Sequence, residues 1–207
     1  MLPITKTLFP ALKNTVESLS PKTIPDERRA VLQPLINYIQ HKKDKAEEIH
    51  LNFICTHNSR RSQFSQIWAQ TAADLYSIEA LCYSGGVEVT AFNERAVSSL
   101  QRLGFAIEKE GEGNPKYSVY YAKDAQPIIA FSKTIDDPAH TPKIFAAIMT
   151  CAHADENCPY IPEAEIRIPV RYNDPKAFDD TPQEAEKYDE RSLQIATEMF
   201  FVFSNIK

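Results

Sequence analysis

The stretch Ile54–Trp68, ICTHNSRRSQFSQIW, sets a cysteine six residues before Arg61 and seven before Ser62. Just ahead of it, IHLNFI (Ile49–Ile54) is short and largely apolar, as a buried strand is. Behind it, Phe64, Ile67, Trp68, Ala72 and Leu75 recur at helical spacing, which predicts an amphipathic helix over residues 62–76. Cys55 therefore sits where a strand ends and Ser62 where a helix begins. A loop in that position turns successive backbone N–H groups into one space, and the helix dipole favours an anion there. Arg61 adds a planar fork suited to two oxygens of a tetrahedral oxyanion. The same field supports a thiolate at Cys55, to which Ser62 can donate a hydrogen bond. The pattern describes a nucleophile beneath a bound oxyanion. The bland alternative is a core cysteine beside a polar turn, and the strand before and helix after weigh against it.

Outward from this loop, strands and helices alternate. SIEALCYS (Ser77–Ser84) reads as a second strand closed by Gly85 and Gly86, with Cys82 on its apolar face as a core residue. AFNERAVSSLQRL reads as a helix capped by Thr90 and stopped by Gly104. IFAAIMT (Ile144–Thr150) is apolar enough for a buried central strand, and EIRIPV is another strand. Thr181-Pro182-Gln183-Glu184 has the order of a capping box opening the last helix. This alternation predicts an α/β fold with a parallel sheet covered by helices on both faces. Residues 1–48 read as an N-terminal helical extension to a domain over 49–207. In it Leu8, Leu12, Val16 and Leu19 share one helical face. Asp26 caps a second helix, in which Val31, Leu35, Ile36 and Ile39 share a face, Pro34 marks a kink, and KKDKAEE is a linker or frayed end. An insertion over about 108–135 reads as two β-like runs around a turn, placed on the sheet or over the site.

At 207 residues, with 43% hydrophobic and 25% charged residues, the chain has the composition of a globular protein with one core. A net charge of −5 argues against a general nucleic-acid binder. No apolar run approaches the ~20 residues that cross a bilayer, and the first residues lack the pattern of a signal peptide. A cytoplasmic location is expected, where four cysteines point to catalysis, redox chemistry or a metal before structural disulfides.

CTHNSRRS resembles the phosphate-binding loop of the low-molecular-weight protein tyrosine phosphatases and of the arsenate reductases built on that fold. Their pattern is Cys-x-Gly-Asn-x-x-Arg-Ser. The resemblance implies a three-layer fold with a four-stranded parallel sheet. It implies that Cys55 is the nucleophile, Arg61 the oxyanion-binding arginine and Ser62 the thiolate-supporting serine. Thr56, His57, Asn58, Ser59, Arg60 and Arg61 would form the cradle. Asn58 would brace the loop and Ser84, in YSGG, would steady Asn58. His57 stands in place of the family glycine, a position that would need a tolerant residue if its φ is positive. Arg60 stands where many relatives have a second loop cysteine, so no disulfide can form within the loop, and it would add positive potential at the mouth. Asp174, in Asn173-Asp174-Pro175, matches the family's general acid, whereas Asp137-Pro138 lies on the wrong connection.

Beyond the loop, MTCAHADENCPYIP is similar to the run that carries a cysteine pair in the thioredoxin-coupled arsenate reductases, and most phosphatases of the fold lack it. The resemblance implies that Cys151 attacks the arsenic–sulfur adduct on Cys55. Cys158, on an exposed acidic loop, would then resolve the Cys55–Cys151 bond, leaving a Cys151–Cys158 disulfide for thioredoxin or a similar external dithiol. Zinc on Cys151, His153 and Cys158 is a weaker rival, having three ligands without a fourth. Asp136 resembles an aspartate of the reductases' potassium site, with Asn58 and Ser84 as companions, and Gln66 stands where that site has a glutamate. The expectation is a monomeric arsenate reductase acting on arsenate without a tightly bound cofactor or metal. The alternative is a phosphatase hydrolysing phosphomonoesters through a phosphocysteine. A third class, a non-catalytic oxyanion sensor, would not need Cys55 or Asp174.

Overall fold

The computed structural model describes residues 7–137, 144–157 and 161–207. Helices α1 (Pro10–Ser18) and α2 (Asp26–Asp44) come first. Strand β1 (Ile49–Cys55), helix α3 (Arg61–Leu75), strand β2 (Ala80–Gly86) and helix α4 (Glu94–Arg102) follow in the expected alternation. Strands β3 (Ala106–Glu110), β4 (Lys116–Tyr120) and β5 (Ile128–Ala130) interrupt it. The chain then continues through β6 (Phe145–Met149), α5 (Ala152–Asn157), β7 (Ala164–Pro169) and α6 (Glu184–Ser204).

The main sheet has the order β2-β1-β6-β7, every pair parallel. Strand β6 is an inner strand and all five of its residues are buried, so its run without polar alternation reflects cover on both faces. On one face Leu51, Phe53, Ala146 and Ile148 pack with Phe64 and Trp68 of α3 and Met199 and Phe203 of α6. On the other, Ile54, Phe145, Ala147 and Met149 meet Ala154 of α5, with Ile135 and Ile161 at the margin. The result is a three-layer α/β fold. Helix α3 is buried nearly all round rather than along one stripe, because the sheet, α6 and β5 surround it.

The two expected runs of the insertion are β4 and β5, paired antiparallel, and β3 adds a third strand beside β4. Strand β3 escapes a reading of periodicity because AIEKE is mostly exposed and shows no apolar alternation.

Local corrections have local causes. Asn93, not Thr90, caps α4, accepting from the Arg95 amide at 3.0 Å; Thr90 donates to the His57 carbonyl instead. Pro25 precedes α2 and Asp26 is its first residue, making no capping bond. Leu32 rather than Val31 faces the core, and Pro34 lies inside α2 without ending it. Helix α6 begins at Glu184, whose carboxylate reaches back to the Asp180 amide at 2.7 Å, so the expected box at Thr181 does not form. The KKDKAEE run is no frayed end: α2 extends to Asp44, and buried Lys42 binds Glu47 at 2.9 Å and Glu165 at 2.8 Å.

The N-terminal helices share the main core. Leu12, Leu32, Leu35 and Ile39 are fully buried in the same cluster as Trp68. Arg28 of α2 binds Glu198 of α6 bidentately, at 2.8 and 2.7 Å. Helix α1 presses on the turn after α4, where Gly104 has φ +104° and ends that helix as expected. A Cβ there would lie 2.2 Å from the Leu12 amide nitrogen, whereas at Gly111 (φ +86°) it would meet nothing within 4 Å. Gly104→Ala should therefore destabilise the fold by about 3 kcal/mol and Gly111→Ala by about 1 kcal/mol. Urea unfolding midpoints check this, and equal losses would mean that α1 does not bear on Gly104.

Candidate active site

Strand β1 delivers Cys55 to the carboxyl edge of the sheet, and the chain returns as α3 six residues later. Within the loop the carbonyls turn outward. Thr56 O accepts from the Val87 and Glu88 amides, each at 2.9 Å, and His57 O from Ser132 Oγ at 2.9 Å. Asn58 O accepts from Gln63 Nε2 at 3.0 Å and Ser59 O from the Asn93 amide at 3.0 Å. Among the described residues, the N–H groups of residues 56–61 meet no acceptor, so the loop offers consecutive donors at the start of a helix. Gly86 permits this packing, since a Cβ on it would lie 2.7 Å from the Asn58 amide nitrogen.

The left-handed residue of the loop is Asn58, at φ 44°, not His57. Asparagine tolerates that region, so a histidine in place of glycine costs no backbone strain here. His57 is half-exposed beside Glu88, a 3.1 Å contact without hydrogen-bonding alignment.

Hydrogen-bond direction runs one way through the floor of the loop. The Lys133 amide donates to Asn58 Oδ1 at 3.0 Å, which leaves Asn58 Nδ2 to donate to Ser62 Oγ at 2.8 Å. Ser62 Oγ lies 3.1 Å from Cys55 Sγ. Having accepted from the amide, Ser62 keeps its own proton for the sulfur. Asn58, Ser62 and Cys55 are all buried. Ser84 does not reach Asn58 as expected. Its hydroxyl donates to Gln66 Oε1 at 2.6 Å and lies 3.4 Å from the Lys133 ammonium, and the Lys133 backbone braces Asn58 in its place.

Both loop arginines converge on Asp174. Arg60 Nε lies 2.8 Å from Oδ1 and Arg61 Nη2 2.7 Å from Oδ2, and Arg61 Nη1 donates to Tyr172 O at 3.1 Å. Arg60 is buried in this pair rather than open at the mouth. Burial pushes the Asp174 carboxyl up, but Arg61, Arg60 and the Lys176 amide outweigh it and hold the group below the ordinary aspartate range.

Cys151 lies two residues after the end of β6, beside the loop. It is buried in one cluster with Cys55, and its Sγ lies 3.5 Å from Thr56 Oγ1. The segment after it is helix α5, not an exposed loop, with Asp155 paired to Arg167 and Arg171. Cys158 and Pro138 lie outside the described residues. Cys82 is buried in the core, and desolvation, with a contribution from Asp74, pushes its thiol well up. His153 lies 3.2 Å from Thr56 Oγ1, and among the described residues no group of three His, Cys, Asp or Glu side chains could hold a metal ion.

The oxygens around the expected potassium site already have polar partners. Asn58 Oδ1 is taken by the Lys133 amide, Gln66 Oε1 by Ser84, and Ser84 Oγ faces an ammonium. Asp136 is exposed. Lys133 and Ser132 carry no signal in the sequence, because each acts across the molecule: Lys133 lies 75 residues from Asn58 and Ser132 75 from His57.

No family model matches the chain. The chain is similar to arsenate reductases. It is 24% identical over 123 residues to arsenate reductase 2 of Staphylococcus epidermidis, covering 59% of this chain and 76% of that protein. It is 26% identical over 133 residues to an arsenate reductase of Halalkalibacterium halodurans, covering 64% and 78%. Among solved structures, a low-molecular-weight phosphotyrosine phosphatase of Vibrio cholerae superposes with a TM-score of 0.48 at 14% identity, over 75% of this chain and 94% of that one. A thioredoxin-dependent arsenate reductase of Corynebacterium glutamicum gives 0.40 at 16% identity, over 89% and 80%. At those scores the fold assignment rests on the chain's own strand order.

The Asp174 ion pairs carry a stability consequence. A carboxyl held below its unfolded value contributes stability above the unfolded pKa, and that contribution is lost as pH falls through the folded value. Asp174→Asn should cost about 1–3 kcal/mol at neutral pH, leaving two arginines uncompensated. The gap from the unsubstituted chain should narrow progressively as pH falls below the ordinary aspartate range, with urea unfolding at neutral and at acid pH as the measurement. A gap independent of pH would show that Asp174 is not ionised in the fold.

Proposed function

We propose that this chain reduces arsenate to arsenite, with Cys55 as the nucleophile. The observation that carries the reading is the second buried thiol, Cys151, in the same cluster as Cys55 beside the oxyanion loop. The similarity to arsenate reductases supports it. A tetrahedral oxyanion in the loop meets the N–H groups of residues 56–61 and competes with Asp174 for the Arg61 fork. Beside a bound dianion and with Arg61 withdrawn, the Asp174 carboxyl is driven towards its protonated form, as a general acid requires.

The Cys55 thiolate attacks As(V), and one arsenate oxygen leaves as water with protons drawn from solvent and Asp174. The Cys151 thiolate then attacks the Cys55 sulfur. The S–S bond forms, the electron pair of the As–S bond stays on arsenic, and As(V) becomes As(III) as arsenite departs. Cys158 next attacks Cys151, freeing Cys55 as a thiolate. An external dithiol such as thioredoxin reduces the Cys151–Cys158 disulfide, so two thiols are oxidised for each arsenate. Ester hydrolysis would use Cys55, Arg61 and Asp174 alone, with water in place of Cys151.

Cys55→Ser should abolish both arsenate reduction with a thioredoxin system and hydrolysis of a phosphotyrosine ester. Cys151→Ser should abolish reduction and spare hydrolysis. Arsenate reduction by Cys151→Ser at the unsubstituted rate would sink the relay. Ester hydrolysis without arsenate reduction in the unsubstituted chain would put the phosphatase reading in its place.

A further inference from the structure

Lys133 is 2% exposed, and it lies at the end of β5's connection, under the loop. Its Nζ is 3.4 Å from Ser84 Oγ and 3.3 Å from the Phe131 carbonyl, and it sits 4.6 Å from the centroid of the Phe131 ring. A hydroxyl oxygen, a carbonyl oxygen and a π face together form a cradle for a small cation. The directions of the surrounding bonds agree with a positive charge there. Gln66 Nε2 donates to Ile129 O at 3.3 Å, which leaves Gln66 Oε1 to take the Ser84 proton. The Ser84 lone pairs therefore face the ammonium. Burial pushes the Lys133 ammonium down to about 8, partly offset by Asp137, so it stays mostly charged at neutral pH.

The backbone of this lysine is also the donor that orients Asn58. One residue thus supplies both a buried positive charge and the first link in the path Asn58–Ser62–Cys55. A potassium ion near Ser84 would have to share its oxygens with this ammonium and would be repelled by it. The cost of burying a charge is high unless a nearby negative charge offsets it, and here Asp137 supplies that offset in part.

We propose that Lys133 is a built-in cation: its ammonium faces Ser84, one of the oxygens the resemblance gives to potassium, while its backbone orients Asn58, and it positions and supports the Cys55 nucleophile without an added ion. This rests on the reading of Cys55 as the nucleophile. Lys133 touches no reacting atom, so it is a positioning residue. Ammonium and potassium are close in size, which makes the substitution of one for the other sterically reasonable.

The test uses the rate of Cys55 alkylation by iodoacetamide at neutral pH, followed by peptide mass, alongside arsenate reduction. Potassium, sodium and choline chlorides are compared at equal ionic strength. The unsubstituted chain should differ by less than about twofold among the three salts, because no ion site remains to be filled. Lys133→Met keeps the bulk and removes the charge, and it should slow alkylation about tenfold in every salt. Lys133→Ala should be as slow in choline, and potassium or ammonium chloride should restore at least about a third of the lost rate by entering the space left. Severalfold activation of the unsubstituted chain by potassium would overturn the proposal. So would an unchanged alkylation rate in Lys133→Met, or slow variants that no cation rescues, which would reduce Lys133 to a packing residue. Alkylation needs no turnover, so a chain that fails to reduce arsenate still reports on Lys133.

Discussion

The side-chain amide of Asn58 holds the site together. Its oxygen and nitrogen cannot be exchanged, because the oxygen faces a backbone N–H and the nitrogen a hydroxyl. That polarity passes to Ser62 and from Ser62 to Cys55. The left-handed backbone at Asn58 turns the neighbouring carbonyls out to partners on three sides, and the amides are left facing inward. A loop of this kind is an anion site by backbone geometry alone.

Electrostatically the site is a positive island in a chain of net charge −5. Arg60, Arg61 and Lys133 are buried or nearly so, and Asp174 is the carboxylate that balances the two arginines. The arrangement sets up a competition. In the proposed reaction an arriving oxyanion and Asp174 want the same guanidinium, and each changes the protonation the other prefers. Net charge says little about such a site because the interactions that matter act over a few ångströms in a medium that screens poorly.

The N-terminal helices are part of the same mechanical unit. Arg28 of α2 clamps Glu198 of α6 and lies 4.8 Å over the ring of Tyr172, whose carbonyl holds Arg61. A path of packed and bonded groups therefore runs from the first 50 residues to Arg61 in the loop. The three-stranded insertion reaches the site from the other side, since Ser132 and Lys133 follow β5 and bind His57 and Asn58.

Much was legible locally. The strand, the loop and the helix around Cys55 follow from apolar runs and their spacing, and the alternation of elements leads to the parallel sheet. Those are short-range properties, fixed by side-chain periodicity and by what a backbone can do over ten residues. The parts that were not legible are pairings. Nothing in FSKTID marks Lys133 as the brace of Asn58, and nothing in AIEKE marks a third strand, because an exposed strand needs only a partner's backbone. The same holds for the caps: Thr90 is as good a cap as Asn93 until the fold gives its hydroxyl the His57 carbonyl. Sequence by itself determined the strand–loop–helix around Cys55 and the layer architecture. Only tertiary structure decided which charges meet, because a hydrogen bond or ion pair depends on where two distant segments are brought together, and no local pattern carries that distance.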